Sequence, residues 1–414
     1  MLFLYNLAIR LYSLLIQFAY LKSLKAKAWV DGRKNIFSRI EKVIQPGTRH
    51  IWFHFASLGE FEQGRTVLEK MRQAQPESKI FVTFFSPSGY EIRKNYPLAD
   101  HIFYLPVDSK KNAERFIKLI NPSMAIFTKY EYWYYYFTEL QKQQVPLYII
   151  SGIFRKSQPF FKWYGGLHRR MLKCVTYFFV QNEESKQLLA ELNIHNVAIS
   201  GDTRFDRVMQ NAASVQDLNE VKAFCGNTKV FIAGSTWPAD EKLIAELIPQ
   251  LPEWKFIIAP HEISADKIDA LVNKFPGRSI LYSQLINDGN KTLRETCSVL
   301  IIDNIGMLSS LYQYGDIAYI GGGFGAGIHN TLEAAAFGLP VIFGPNYKKF
   351  QEAKDLIEAE AAFSVSSDDE LMNIAGKLIN DEYSRQAGQI AFHYVKTNIG
   401  ATDLILEHLK FPSE

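Results

Sequence analysis

Two stretches of the chain combine residue types suited to group-transfer chemistry. In "HFASLGEFEQG", His54 to Gly64, an apolar run ends in Ser57-x-Gly59-Glu60, so a carboxylate follows directly on a glycine. Ligands of open α/β sheets collect beyond the carboxyl ends of strands, and a Glu60 placed there would act in a cleft. The same residue also suits the first turn of a helix, where free N–H groups and the macrodipole favour acids. This stretch alone leaves both readings open, and the helix-terminal one is the plainer.

The second stretch is "DIAYIGGGFGAGIHNTLEAAAFGLPVIFG". A strand ending at Ile320 runs into Gly321, Gly322, Gly323, Gly325 and Gly327, and a short helix is expected to begin near Asn330 or Thr331. Glycines allow tight turns and close backbone approach, while a helix N-terminus offers N–H groups to a phosphate. Glu333, on the first helical turn, is placed to accept hydrogen bonds from ribose hydroxyls. Gly338 and Pro340 then stop the helix. The spacing is neither a Walker loop nor the dinucleotide fingerprint, so phosphate binding stands beside a purely structural glycine turn.

These residues need a scaffold, and length and patterning describe one. The 414 residues point to two or three domains, and 47% hydrophobic with 21% charged content is that of a folded protein. A net charge of +3 does not suit a whole-chain nucleic-acid binder. Cys174, Cys225 and Cys297 are widely spaced with no CxxC or zinc-like pattern, which suits buried thiols in a reducing compartment and indicates neither a disulfide framework nor a metal site. His50, His54, His101, His168, His195, His393 and His408 show no metal-ligand spacing and read as packing or surface residues. From about residue 48 short apolar runs alternate with helical segments: "IWFHF", "IFVTFF", "MAIFT", "PLYIIS" and "TYFFV", then "KVFIAGS", "KFIIAP", "SVLIID", "DIAYIGG" and "PVIFG". Repeated βα units predict two doubly wound parallel sheets, joined near residues 202–215 and facing a central cleft.

The front of the chain differs. Met1 to Leu21 is mostly apolar with Asn6, Arg10 and Gln17 as interruptions, and Lys22 to Lys42 carries seven Lys/Arg against Asp31 and Glu41. A signal peptide fits poorly, because the basic residues follow the apolar core. The expectation is a helix lying in or dipping into a membrane leaflet, its apolar surface supplied to lipid, with a true span and a helix packed on the protein as alternatives. The domain division expected is an anchor helix with basic flank over 1–30, an acceptor domain over 31–205 and a donor domain over 206–414. The last helix is free to pack back on the first domain.

Gly-His329-Asn330-Thr331-Leu-Glu333, preceded by its glycine run and followed by "GLPVIFGP", resembles the donor region of Kdo transferases. These enzymes move 3-deoxy-D-manno-octulosonic acid from CMP-Kdo to a lipid A precursor. Ser57-x-Gly59-Glu60, Ser86-Pro87-Ser88-Gly89, Glu131-x-Trp133, Gly201-Asp202-x-Arg204-Phe205-Asp206 and Gly234-Ser235-Thr236 follow in the family's order, behind a similar apolar anchor. The resemblance implies an α/β fold of GT-B type and inverting transfer without cofactor or bound metal. It also implies a place at the cytoplasmic face of the inner membrane, against its lipid surface, in a Gram-negative cell. Glu60 corresponds to the proposed catalytic base and Glu131 to a second cleft carboxylate, whose alternative role is an ion pair with Lys129 or a helix cap. Arg204, Ser235, Thr236, His261, Gly325, His329, Asn330, Thr331 and Glu333 fall to the donor. Ser57, Gly59, Ser88, Gly89 and Arg155 fall to the acceptor. Lys129 stands where an acid is common, and Pro260-His261-Glu262 replaces Pro-Arg-His, so the nucleobase contact departs from the family pattern. Another GT-B transferase, a sugar-nucleotide epimerase, or a non-catalytic membrane-surface binder of a sugar nucleotide are the alternatives.

Overall fold

The structure, a computed structural model, describes residues 1–288 and 296–409. The chain divides into two compact units: Met1–Arg207 together with the chain from Gly400, and Val208–Ile399.

In the first unit the described strands are β1 (His50–Phe55), β2 (Lys79–Phe84), β3 (His101–Tyr104), β4 (Pro122–Thr128), β5 (Leu147–Gly152), β6 (Tyr177–Val180) and β7 (Val197–Ile199). They form one parallel sheet in the order β3-β2-β1-β4-β5-β6-β7. Both faces are covered, which is why β1 reads as a continuous apolar run: Trp52 enters one core with Phe81, Phe116 and Phe127, while Ile51, Phe53 and Phe55 enter the other with Val82 and Phe179. Strand order reverses between β1 and β4, the place where an open sheet leaves a crevice.

The second unit repeats the plan with β8 (Val230–Thr236), β9 (Lys255–Pro260), β10 (Ser279–Leu281), β11 (Val299–Ile301), β12 (Ile317–Ile320), β13 (Val341–Phe343) and β14 (Ala362–Ser364). Their order is β10-β11-β9-β8-β12-β13-β14, all parallel, with the reversal between β8 and β12. Each sheet holds two strands more than the sequence pattern marked. The additions, β3, β7, β10 and β14, are the four sheet edges, three or four residues long. An edge strand pairs on one side only and needs no long apolar run.

The amino-terminal helix Leu2–Ala19 has no buried residue, and it is the one described helix long and apolar enough to cross a membrane. Phe3, Leu4, Leu7, Leu11, Leu14, Leu15 and Phe18 are exposed. Its other side contacts the first unit: Tyr5 Oη donates to Asp108 Oδ2 at 2.5 Å, and Tyr12 stacks on Phe85 with ring centroids 5.8 Å apart. The leucines and phenylalanines named thus stay exposed, while Tyr5 and Tyr12 meet the protein. The basic flank is structured too. Trp29, Ile36 and Ile40 are buried, and Arg33 donates to the carbonyls of Trp29, Phe85 and Leu105.

Asp206 closes the first unit. Its carboxylate accepts from Gly400 N, Thr402 N and Thr402 Oγ1, capping the helix Ala401–His408, whose Ile405 is fully buried beside the helix Leu58–Ala74.

Gly64 on that long helix marks a close approach, because a Cβ there would lie 2.3 Å from the Phe55 ring and 3.0 Å from Thr128 Oγ1. Phe55 is fully buried and has nowhere to move. Gly64→Ala should lose about 1–2 kcal/mol despite its better helix propensity, read as a lower denaturant midpoint with unchanged slope. Equal or higher stability would mean that the β1 face yields.

Candidate functional site

In the first unit the site grows from the ends of β1, β2 and β4, neighbours in the sheet. After β1 the chain turns at Ser57, the N-cap of the helix Leu58–Ala74, and Glu60 lies in that helix's first turn. Ser57 Oγ does not accept from the helix backbone as a cap does; it donates to the Glu60 carboxylate. Glu60 is half-buried and Gly59 exposed. After β2, Ser86 caps the helix Pro87–Arg93, and Ser88 Oγ lies 3.0 Å from Ser86 Oγ. Gly89 brings these two turns together: a Cβ on it would stand 3.0 Å from the Ser57 carbonyl carbon and 2.3 Å from the Phe84 ring.

After β4, Lys129 adopts a left-handed φ of 58°, which turns the chain toward Glu131. Glu131 Oε2 accepts from Trp133 Nε1 at 2.9 Å and lies 3.3 Å from His54 Nε2. His54 is fully buried, and its Nδ1 is 2.8 Å from Thr83 Oγ1, which also accepts from Trp52 Nε1 at 2.8 Å. A line of contacts thus runs from the core of the sheet to a carboxylate at its edge. Sequence reading counted His54 among packing residues. The signal was a polar ring one residue before the end of β1, on the face that also buries His50 and Trp52.

Trp133 packs on Phe85 at 4.8 Å, and Phe85 follows β2 directly, so the three turns that carry Glu60, Ser88 and Glu131 are tied together. Arg155 lies on an exposed loop beside the Glu131 turn and donates to Tyr130 Oη at 3.0 Å. Arg204 also belongs to this unit, not to the one that holds the other donor candidates. Its Nε and Nη2 reach Asp202 Oδ2 at 2.8 Å. Burial alone would raise the Asp202 carboxyl, but the charges of Arg204 and Lys129 with the Arg204 hydrogen bonds prevail and hold it below the usual range.

In the second unit Ser235 takes a left-handed φ of 55° at the end of β8, and Thr236 beside it is buried. A Cβ on Gly321 would stand 2.3 Å from the Ser235 carbonyl oxygen, so the ends of β8 and β12 meet backbone to backbone. Asp240 locks this meeting: it accepts from Gly322 N at 2.9 Å, from Trp237 N at 2.9 Å and from Tyr319 Oη at 2.8 Å. The helix after the glycine turn is a single turn, Leu332–Ala335, so its dipole is small and individual donors matter more. Several turn N–H groups, those of Gly325, Gly327 and His329, already bond within the turn. Thr331 Oγ1 is buried with no hydrogen-bond partner among the described residues, an open hydroxyl next to Asn330, whose Nδ2 donates to Glu333 Oε1 at 3.0 Å. A cavity of about 760 Å³ opens beside the turn, lined by Gly325, Asn346, Lys348, Lys349 and Ser366.

Three rings that lie far apart along the chain meet at this end of the sheet. Trp237, His261 and His329 form a ring stack, with centroids 4.8 Å apart for the first pair and 4.5 Å for the second, and Trp237 Nε1 donates to His329 Nε2 at 3.2 Å. Trp237 and His261 each stand one residue past a strand, β8 and β9. Among the described residues no group of three His, Cys, Asp or Glu side chains is placed to hold a metal ion.

Residues 32–207 match the family model described as 3-deoxy-D-manno-octulosonic-acid transferase (kdotransferase). A 3-deoxy-D-manno-octulosonic acid transferase of Rickettsia bellii is 28% identical over 81% of this chain and 81% of its own length. A bifunctional glycosyltransferase/methyltransferase of Fusobacterium nucleatum is 25% identical over 81% of this chain, which spans about half, 53%, of that relative. Among solved structures, the UDP-GlcNAc 2-epimerase of Neisseria meningitidis bound to UDP-GlcNAc superposes with a TM-score of 0.61 over 86% of this chain and 98% of that one. At 17% identity this speaks for the fold alone.

Burial, and then the neighbouring His261, hold the His329 imidazole below its usual pKa of 6.5, while Asp240 opposes them. The unfolded chain therefore takes up this proton first. The stabilisation is complete above about pH 6.5 and is lost as pH falls through the lower folded-state value. His329→Gln should flatten the stability profile between pH 7.5 and 5.5 in urea titrations. An unchanged slope would mean that His329 is not among the titrating groups.

Proposed function

We propose that this chain, a GT-B glycosyltransferase of the Kdo-transferase type, transfers Kdo from CMP-Kdo to a lipid A precursor, lipid IVA, in building the inner core of lipopolysaccharide. The observation that carries this reading is the half-buried Glu60 at the β1–β4 crevice, hydrogen-bonded by Ser57, inside the stretch that matches the family. An acceptor hydroxyl is a weak nucleophile until its proton is removed, and Glu60 accepts that proton as attack proceeds. Attack on the face opposite the departing CMP inverts the anomeric centre in one displacement, so no covalent partner is needed.

Glu131, fixed by Trp133 and His54, orients the acceptor. In the second unit Ser235, Thr236, the open Thr331 hydroxyl and the N–H groups near Asn330 meet the charge growing on the leaving phosphate, a task that requires no bound metal. Glu333 takes the ribose. The exposed apolar side of Leu2–Ala19 supports attachment at the cytoplasmic face of the inner membrane, where a lipid acceptor is available.

Two substitutions test the assignment. Glu60→Gln keeps the size and the Ser57 hydrogen bond but cannot take a proton. Turnover should fall by about 10²- to 10⁴-fold with donor affinity unchanged. A merely helix-terminal acid predicts near-normal turnover and about 1 kcal/mol of lost stability, so measuring turnover, CMP-Kdo affinity and melting on one protein separates the two. Glu333→Ala should weaken CMP-Kdo binding by about 1–3 kcal/mol at little change in stability. Mass analysis of the product distinguishes Kdo addition from epimerisation of a sugar nucleotide.

A further inference from the structure

From Leu140 to Asn182 the chain has seven Lys/Arg and no Asp or Glu over 43 residues. Within this stretch Trp163 is 93% exposed, more than any other large apolar side chain among the described residues, and Tyr164 beside it is 44% exposed. The two rings meet edge to face at 5.6 Å. A lone exposed tryptophan on a loose loop means little, but this loop is built. Phe160 is buried against Tyr132 and Phe154, and Arg169 Nη1 donates to the carbonyls of Phe160 and Lys162. Gly165 is packed so tightly that a Cβ would stand 1.9 Å from the Pro159 carbonyl oxygen. The fold holds Trp163 outward. Lys156 and Arg170 are exposed around it, and among the described residues neither they nor Lys162 make an ion pair.

We propose that the loop from Arg155 to Arg170 is a second membrane-contact surface, seating Trp163 and Tyr164 at the headgroup level of an anionic bilayer with Lys156, Lys162 and Arg170 on its phosphates. Amphipathic aromatic rings favour that depth, and each basic residue near an anionic surface adds about 1 kcal/mol of attraction. Position supports a lipid occupant over a protein one. The strip Tyr130–Tyr135 that carries Glu131 is bordered by this loop through Arg155 on Tyr130 and Phe160 on Tyr132. The amino-terminal helix borders it through Tyr5, whose ring is 6.0 Å from that of Tyr134. A lipid-borne acceptor then reaches Glu131 between two lipid-facing elements without leaving the surface. The inference concerns the surface alone and holds whichever sugar nucleotide is the donor.

The test uses the full chain on vesicles of phosphatidylethanolamine and phosphatidylglycerol. Because the amino-terminal helix alone can hold the protein there, the deciding measurement is quenching of tryptophan emission by brominated lipid, compared between the native chain and Trp163→Phe. The native chain should show a quenched component that the variant lacks. Lys156→Gln/Lys162→Gln/Arg170→Gln should lower partition into anionic vesicles about tenfold or more, with little change on neutral ones. Turnover on a soluble short-chain acceptor should be unaffected by Trp163→Phe, which separates this inference from the assignment of the chemistry. Equal quenching in both proteins with unchanged partition overturns the proposal. So does concentration-dependent self-association abolished by Trp163→Ala, which would assign the loop to a second copy of the chain.

Discussion

The amino-terminal unit depends on the divergence of two connections at the ends of β1 and β4. A parallel sheet must return each chain over one of its faces, and where the direction of return changes, the adjacent turns open away from each other. Such a crevice is useful only if the turns around it are held. Here three contacts hold them: Gly89 against Ser57, Phe85 against Trp133, and His54 beneath Glu131. Each pulls one turn onto another, so Glu60 and Glu131 inherit their positions from the sheet rather than from mobile loops.

The second unit solves the same problem with different chemistry. Its reversal lies between β8 and β12, and the closing contact is backbone on backbone, Gly321 at Ser235. A side chain at 321 would collide with a carbonyl, so glycine is required by space and not by dihedral freedom. Asp240 supplies the lock by taking the Gly322 and Trp237 N–H groups and the Tyr319 hydroxyl. The glycine run is therefore a structural turn as well as a candidate phosphate site, and the two readings that the sequence left open are not exclusive.

What could be read from the sequence follows from what each feature requires. Inner strands are buried on both faces and must be apolar throughout, so ten of them were legible, even β11 and β13 with three residues each. Edge strands such as β7 and β14 leave positions partly exposed, do not need an unbroken apolar run, and were not. Ser57, Glu60 and the glycines show because turns constrain residue type locally. Partners across the fold do not: His54 meets Glu131 across 77 residues, and Trp237 meets His329 across 92. Arg204 and Asp206 carry the complementary lesson, since the motif that holds them serves the unit's own closure, one residue paired with Asp202 and the other capping the last helix.

The amino-terminal helix is where fold and surroundings become hard to separate. Asp108 accepts Tyr5 Oη together with the N–H groups of Tyr135 and Tyr136, at the start of the helix Tyr134–Lys142. Burial pushes its carboxyl up to about 6 against the pull of those hydrogen bonds. Tyr5 is one of those donors, so the seat of the apolar helix and the environment of Asp108 share one hydrogen bond. The segment it pins begins three residues after Glu131. A helix that presents Phe3, Leu7 and Phe18 outward and Tyr5 and Tyr12 inward thus reports on one side to whatever covers its apolar face and on the other to the strip that carries the second carboxylate. Through Asp108, Tyr5 therefore couples the exposed apolar face of Leu2–Ala19 to the first turn of the helix Tyr134–Lys142 and so to the segment that follows Glu131.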